Sequence, residues 1–251
     1  MAEITFKVGE TTYKIRERTQ EDFRNGRKIY NKTFNDALSS GSPLQARAAD
    51  VLKEQGLWTD KKQKELDDVQ KEINENEFLL AKGGIKKSEA RLICFKLSDL
   101  RFKKLELLAP ITNFNRHTAE GQADNARFDY WVSVCLVYED GRPYFNSYEE
   151  YLNSTDDVAS TGAVKAAELF YELDENFEFN LPENKVLKEC GFVDDKFRLI
   201  NSKDQLIDRE GNLVNENGER VNDKGELVNI YGKKIDKEGN FVIDKKPFLD
   251  D

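Results

Sequence analysis

Several things that chemistry usually needs are scarce in this chain: its 251 residues hold one histidine, one methionine, five prolines and three cysteines. A lone histidine, His117, lies between Arg116 and Thr118 in a polar run, with no nucleophile or orienting partner marked beside it. That reads as a surface histidine and not as a general base. Cys94, Cys135 and Cys190 are odd in number, widely separated and each in an apolar setting. They exclude a disulfide framework and read as small core residues in a reducing cytoplasm. No apolar run approaches the length of about eighteen residues that a membrane helix needs, so no membrane partner is expected. The start, Met1-Ala2-Glu3-Ile4-Thr5-Phe6, lacks the basic and apolar regions of a signal peptide. Positive charge is also short, with 39 Lys and Arg against 48 Asp and Glu and a net charge of −9. Nonspecific binding to nucleic acid or to an anionic membrane is therefore disfavoured.

Catalytic signatures are missing too. Gly-x-Ser-x-Gly, His-Glu-x-x-His, the Walker loop and the dinucleotide glycine fingerprint do not occur. Carboxylate pairs such as Asp67-Asp68, Glu149-Glu150 and Asp156-Asp157 are adjacent in sequence, so they diverge on a helix and do not form a glycosidase pair. No catalytic residue, no cofactor site and no metal ligand is expected, and the chain reads as no enzyme. Aromatic residues, in contrast, make up 11% of the chain, which argues against wholesale disorder.

Ile4, Phe6 and Val8, then Thr11, Tyr13 and Ile15, alternate around Gly9-Glu10 and predict an opening β-hairpin. Thr19 is placed to cap a helix with Glu21 and Asp22 in its first turn and an apolar face of Phe23, Tyr30, Phe34, Ala37 and Leu38, stopping at Gly41. Ser42-Pro43 predicts a new helix, serine as cap and proline at its first position, ending at Gly56. Thr59 caps a third, with Leu66, Val69, Ile73 and Leu80 in a heptad-like seam. After Gly83-Gly84 a fourth is expected from about Lys86 to Leu108, with Ile93, Leu97, Leu100 and Leu107 on its seam and Pro110 beyond it. So short a glycine turn between two long helices implies an antiparallel helical hairpin. Phe128 to Tyr138 fits either a strand or a helix, and pattern alone leaves both open. Further on, Asp140-Gly141 marks a turn, Ser147 with Glu150 a capping box, Ala163 to Leu173 a helix, and Pro182 to Cys190 another.

From Val193 the character changes. Val193, Ile200, Ile207, Val214, Val221, Val228, Ile235 and Val242 recur every seventh residue, with Gly211, Gly218, Gly225, Gly232 and Gly239 four residues after five of them. The second position is Asp or Asn in seven copies, from Asp194 to Asp236. A glycine and an Asx in each heptad forbid a stable helix and fit a three-residue hairpin turn instead. In Val221-Asn222-Asp223-Lys224-Gly225-Glu226-Leu227, Gly225 would be left-handed, Val221 would face Leu227, and Val228 would pair with Lys234. Asp204 takes the glycine position in its copy. Phe197 does so in the first, where a turn of another type, or none, is expected and the array begins in earnest at Ile200. Loops such as Asp236-Lys237-Glu238-Gly239-Asn240 look superficially like calcium loops, but the bidentate Glu of an EF-hand and the nine-residue calcium repeat are missing.

Two stretches together resemble tail assembly chaperones of tailed bacteriophages. These are the opening hairpin running into Thr19-Gln20-Glu21-Asp22-Phe23, and Leu136-Val137-Tyr138-Glu139-Asp140-Gly141-Arg142-Pro143-Tyr144-Phe145 followed by the Ser147 box and an alanine-rich helix. Gln55-Gly56-Leu57-Trp58, Lys82-Gly83-Gly84-Ile85-Lys86 and Thr118 to Phe128 look like segments of uncharacterised structural proteins of T4-like and marine phages, as do the turn repeats. The resemblance favours a helix over Phe128 to Tyr138. It implies binding to phage tail or virion proteins such as the tape-measure protein, no catalytic residues, and a place in the host cytoplasm or the virion. Self-association into a homo-oligomer stays open. The expected architecture is α+β: residues 1–192 as an N-terminal β-hairpin and mainly helical body, and residues 193–251 as a tandem heptapeptide β-repeat tail. The function implied is tail morphogenesis, as chaperone or scaffold; the alternatives are a permanent part of the neck, baseplate or capsid surface, or a surface adhesion module.

Overall fold

In the computed structural model, which describes residues 3–174 and 176–242, the period-two alternation around Gly9 becomes the expected hairpin. Strands β1 (Ile4–Val8) and β2 (Thr11–Ile15) pair antiparallel with Phe6 opposite Tyr13. A third strand, β3 (Leu136–Tyr138), pairs antiparallel with β2 and completes a sheet of order β1-β2-β3. The fold is mixed α+β, with a mainly helical body. Its helices are α1 (Gln20–Ser39), α2 (Ala48–Glu54), α3 (Asp60–Lys82), α4 (Lys87–Arg116), α5 (Ala119–Cys135), α6 (Tyr148–Leu152), α7 (Asp157–Phe170), α8 (Phe177–Asn180) and α9 (Pro182–Glu189). Packing divides the chain into two compact units. One runs to Glu75 and resumes from Asp99 to Glu178; the other takes Asn76–Ser98 and the described residues from Phe179 on.

In the first unit the core joins Phe6, Tyr13 and Ile15 of the sheet to Trp131, Val132 and Cys135 of α5, Leu136 of β3, and Val158, Ala166 and Phe170 of α7. Each large apolar side chain so buried contributes about 1.5–3 kcal/mol. Chain entry to α1 is fixed by a full capping box: Thr19 Oγ1 accepts from the Asp22 N–H at 3.2 Å, and Asp22 Oδ2 accepts from the Thr19 N–H at 2.8 Å. Asp22 also accepts from the Thr19 hydroxyl at 2.7 Å and from the Arg16 guanidinium at 2.7 and 3.3 Å. Burial pushes this carboxyl upward, but those donors outweigh it and hold Asp22 below the usual carboxylate range. A depressed folded-state pKa means stability that is present above the ordinary carboxylate pKa and lost as pH falls through the folded value. Asp22→Asn is therefore expected to be less stable than wild type at neutral pH and to show a flatter loss of stability in acid, measured by urea unfolding across that range.

Several helix boundaries differ from the sequence expectation. Ser42-Pro43 does not open a helix. The Pro43 carbonyl accepts from the Ala119 N–H at 2.9 Å and the Ser42 hydroxyl accepts from Gln122 at 2.8 Å, so the pair holds the start of α5. A single 3-10 turn, Gln45–Arg47, then leads into α2. Helix α4 does not stop before Pro110 but runs through it to Arg116. Proline there removes one helical donor and costs about 3 kcal/mol in an isolated helix, a cost that packing can override. The ambiguous stretch is both things: α5 ends at Cys135 and β3 begins at Leu136, where the Arg16 N–H donates to the Cys135 carbonyl at 3.0 Å. Helix α7 starts at Asp157, not Ala163, because Asp156 caps it by accepting from the Ala159 N–H; it ends at Phe170, not Leu173. Short α8 had no counterpart in the sequence reading.

The α3 seam is kept in the main, with Leu66 only half-buried, but on α4 only Leu97 of the four expected residues is buried, and Ile93, Leu100 and Leu107 are half-buried. On α3, Val69, Ile73, Asn76 and Leu80 are buried; on α4, Ala90, Cys94 and Leu97. In the first unit Lys103 pairs with Glu65 at 2.7 Å and Lys104 donates to Gln70 at 2.6 Å, which sets the start of α3 beside the later half of α4.

In the second unit α9 begins with Pro182 in its first turn, and its C-terminal stop uses Gly191 at φ +73°. Beyond it no strand forms among the described residues. Instead isolated antiparallel bridges join Val193 to Leu199, Ile200 to Leu206, Ile207 to Leu213, Val214 to Arg220, Val221 to Leu227, Val228 to Lys234 and Ile235 to Phe241. One turn shows the common pattern. The Gly225 N–H donates to the Asn222 carbonyl at 2.9 Å, while Asn222 Oδ1 accepts from the Lys224 and Glu226 N–H groups at 3.0 and 3.1 Å. Gly225 has φ +77° and Asp204, at the matching position, +58°. The eighth expected copy begins at Val242, and its residues from Ile243 on lie outside the described residues.

The first copy corrects the expectation for Phe197. It adopts φ +58° and closes the same turn, its N–H donating to the Asp194 carbonyl at 3.1 Å. The Phe197 ring meets Phe179 at 4.6 Å between centroids, and Lys188 Nζ lies 5.6 Å from its centroid. These contacts offset a left-handed penalty of about 1–2 kcal/mol. Where nothing offsets it, the penalty should be visible. Gly225→Asn is expected to be nearly neutral, Gly225→Ala to cost about 1 kcal/mol and Gly225→Val more. Thermal melting of the three variants checks that order.

Candidate functional site

Each residue type that could carry chemistry is placed first. His117 is exposed at the end of α4; its N–H donates to the Phe114 carbonyl and its own carbonyl accepts from Gln122. Burial pushes the Cys94 thiol up to about 11 and the Cys135 thiol up to about 12, so both stay protonated near neutrality and are poor nucleophiles. Asp67, Asp68, Glu149, Glu150, Asp156 and Asp157 are all exposed. Two of these serve helix starts: Asp156 caps α7, and Glu150 Oε2 accepts from the Asn146 N–H before α6. Among the described residues no group of three or more His, Cys, Asp or Glu is placed to hold a metal ion. In the turns the Asx oxygens are engaged by backbone donors, as at Asn222 and at Asp236, which accepts from the Glu238 and Asn240 N–H groups. No helix among the described residues is long and apolar enough to cross a membrane.

A polar cavity of about 330 Å³ lies in the first unit, lined by Asp129, Tyr151, Ser154, Asp156, Ala159 and Ser160 among others. Burial pushes the Asp129 carboxyl up, partly countered by the Tyr151 hydroxyl, which donates to it at 3.4 Å. Burial and that neighbouring carboxylate push the Tyr151 phenol far above its ordinary value. Burial, followed by the Asp156 carboxylate to which its hydroxyl donates at 3.2 Å, pushes Tyr144 up to about 12. The arrangement is a set of hydrogen-bonded acceptors and hydroxyls that braces α5, α6 and α7; it pairs no nucleophile with a base. The sequence reading passed over Asp129, although an acid between Phe128 and Tyr130 in an aromatic run was a signal that it would be partly buried.

Exposed apolar side chains are the more telling feature. In the first unit Phe102 and Leu105 on α4 are 64% and 68% exposed, and at three residues apart they share a helix face. In the second unit Phe78 of α3 and Leu92 of α4 are 67% and 68% exposed. Ile230 and Tyr231, at 71% and 79%, occupy a turn tip that is charged or polar in the other copies, as at Asp223-Lys224 and Lys237-Glu238. On a chain whose residues are 35% charged, these apolar side chains stand facing water. No family model, curated protein or solved structure matches the chain.

Proposed function

We propose that this chain is a non-catalytic protein of bacteriophage tail morphogenesis, a chaperone or scaffold that binds a tail or tape-measure protein. The observation that carries the reading is the exposed pair Phe102 and Leu105 on α4, an apolar helix face suited to a protein partner. The resemblance of the opening hairpin and of the Leu136 to Phe145 segment to tail assembly chaperones supplies the class of partner. The α3–α4 pair is read as a long antiparallel hairpin presenting that face. The bridges from Val193 on are read as one continuous heptapeptide array that displays turn tips. A tagged copy expressed in infected cells is expected to bring down a tail or tape-measure protein, identified by mass spectrometry, and to be missing from purified virions. Retention in virions at fixed copy number would instead establish the second reading, a permanent structural part, which the exposed Ile230-Tyr231 tip favours as a contact site. Recovery of no tail or virion protein would overturn both.

A further inference from the structure

The chain contains two Asn-Gly pairs, and they stand in opposite surroundings. Asn25-Gly26 lies inside α1. There Asn25 Oδ1 accepts from Lys28 Nζ at 3.1 Å. Gly26 is packed so tightly that an added Cβ would lie 2.5 Å from Trp131 Nε1. Asn217-Gly218 lies at an exposed turn tip. The Asn217 side chain makes no hydrogen bond among the described residues. The Asx residues at the second position of each turn differ, because their side-chain oxygens hold backbone donors, as Asn215 Oδ1 holds the Asn217 and Glu219 N–H groups at 3.0 Å. Around Gly218, at φ +81°, a Cβ would meet nothing within 4 Å.

The geometry points to Asn217 as a site of spontaneous deamidation, with Asn25 as its protected counterpart in the same molecule. In the reaction the Gly218 backbone nitrogen attacks Asn217 Cγ. A new C–N bond closes a five-membered succinimide, the C–N bond of the carboxamide breaks, and the Gly218 proton leaves with the departing ammonia. Water then opens the ring at one of its two carbonyls, giving aspartate or isoaspartate with no change in oxidation state. Two features favour position 217: a free carboxamide, and a following residue with no side chain to hinder approach. Exposed loop tips are also where local opening concentrates. One contact resists. The Gly218 N–H donates to the Asn215 carbonyl at 3.0 Å and must be released first. That bond closes a single exposed turn, whereas Gly26 is held by a twenty-residue helix and by packing on Trp131.

The consequence is local and directional. Either product adds a negative charge beside Glu216 and Glu219. The isoaspartate product also inserts a methylene into the backbone of the turn that supports the Val214–Arg220 bridge. Aged protein should thus carry one altered copy among otherwise unchanged turns.

The test uses the intact folded chain, incubated in mildly alkaline buffer at physiological temperature. Proteolytic peptides are read by mass spectrometry for amide-to-acid conversion and by isoaspartyl methyltransferase labelling. Conversion at Asn217 is expected to run at least an order of magnitude faster than at Asn25, and Gly218→Ala should slow it by a similar factor. In urea-denatured protein the two positions should convert at similar rates, because only the fold separates them. Equal rates in the folded chain, or an Asn217 as inert as Asn25, would overturn the assignment.

Discussion

Replacing Gly26 with alanine is expected to destabilise the protein by about 2 kcal/mol, the opposite sign from the usual effect of this change in a helix. In an exposed helix interior, glycine to alanine gains about 1 kcal/mol from backbone propensity. Here the added Cβ would lie 2.5 Å from Trp131 Nε1 and 3.1 Å from Cε2. The indole is not free to move aside. Its N–H donates to the Asp22 carbonyl at 3.2 Å, and its ring meets Phe23 and Phe170 edge-on. The Arg18 and Arg127 guanidinium groups stack on it at 4.5 and 5.0 Å. The strain therefore passes to the α1–α5 contact as a whole. Urea unfolding should show a lower midpoint with an unchanged slope. A variant as stable as wild type would mean that α1 and α5 are not packed as closely as described.

A larger loss is expected from Ile73→Asp, about 3–5 kcal/mol. Ile73 is 2% exposed on the α3 stripe between Val69 and Leu80. Removing a buried isoleucine side chain alone costs about 2–5 kcal/mol, and stripping a new carboxylate of water adds to that unless it protonates. The neighbouring Asn74 is exposed, so Asn74→Asp on the same turn should stay within about 0.5 kcal/mol of wild type. Comparing the two by denaturant unfolding separates burial from charge. Similar small losses in both would place Ile73 in water and remove the helical seam.

The comparison of pattern with structure follows the range of the interactions involved. Thr19, Asp22 and the alternation around Gly9 act within a few residues, and the cap and hairpin were readable from them. Gly225 and Asp204 were readable as left-handed for the same reason. Phe197 was misread because its penalty is offset by Phe179 and Lys188, 18 and 9 residues earlier in the chain by their numbers, which no local pattern contains. Ser42 and Pro43 were misread likewise, since Gln122 and Ala119 claim their oxygens from far along the sequence. Phe128 to Tyr138 looked ambiguous because it changes from helix to strand after Cys135 while staying buried through the change. The α3 seam was legible by spacing, but on α4 only Leu97 was, since Ala90 and Cys94 fill the buried stripe in place of Ile93 and Leu100. Phe102 and Leu105 fell off the expected seam, and spacing alone did not single them out as exposed, since apolar residues off a seam can still be covered by another element.

The most direct test of a protein-binding role is a paired capture from infected cells, using tagged wild type and the double variant Phe102→Glu, Leu105→Glu. Both positions are already exposed, so the variant is expected to fold, which its melting curve will verify. The account predicts that wild type captures a tail or tape-measure protein and that the folded double variant loses most of it. Undiminished capture by the variant would contradict a role for this α4 face, and capture of no tail or virion protein by wild type would contradict the function itself.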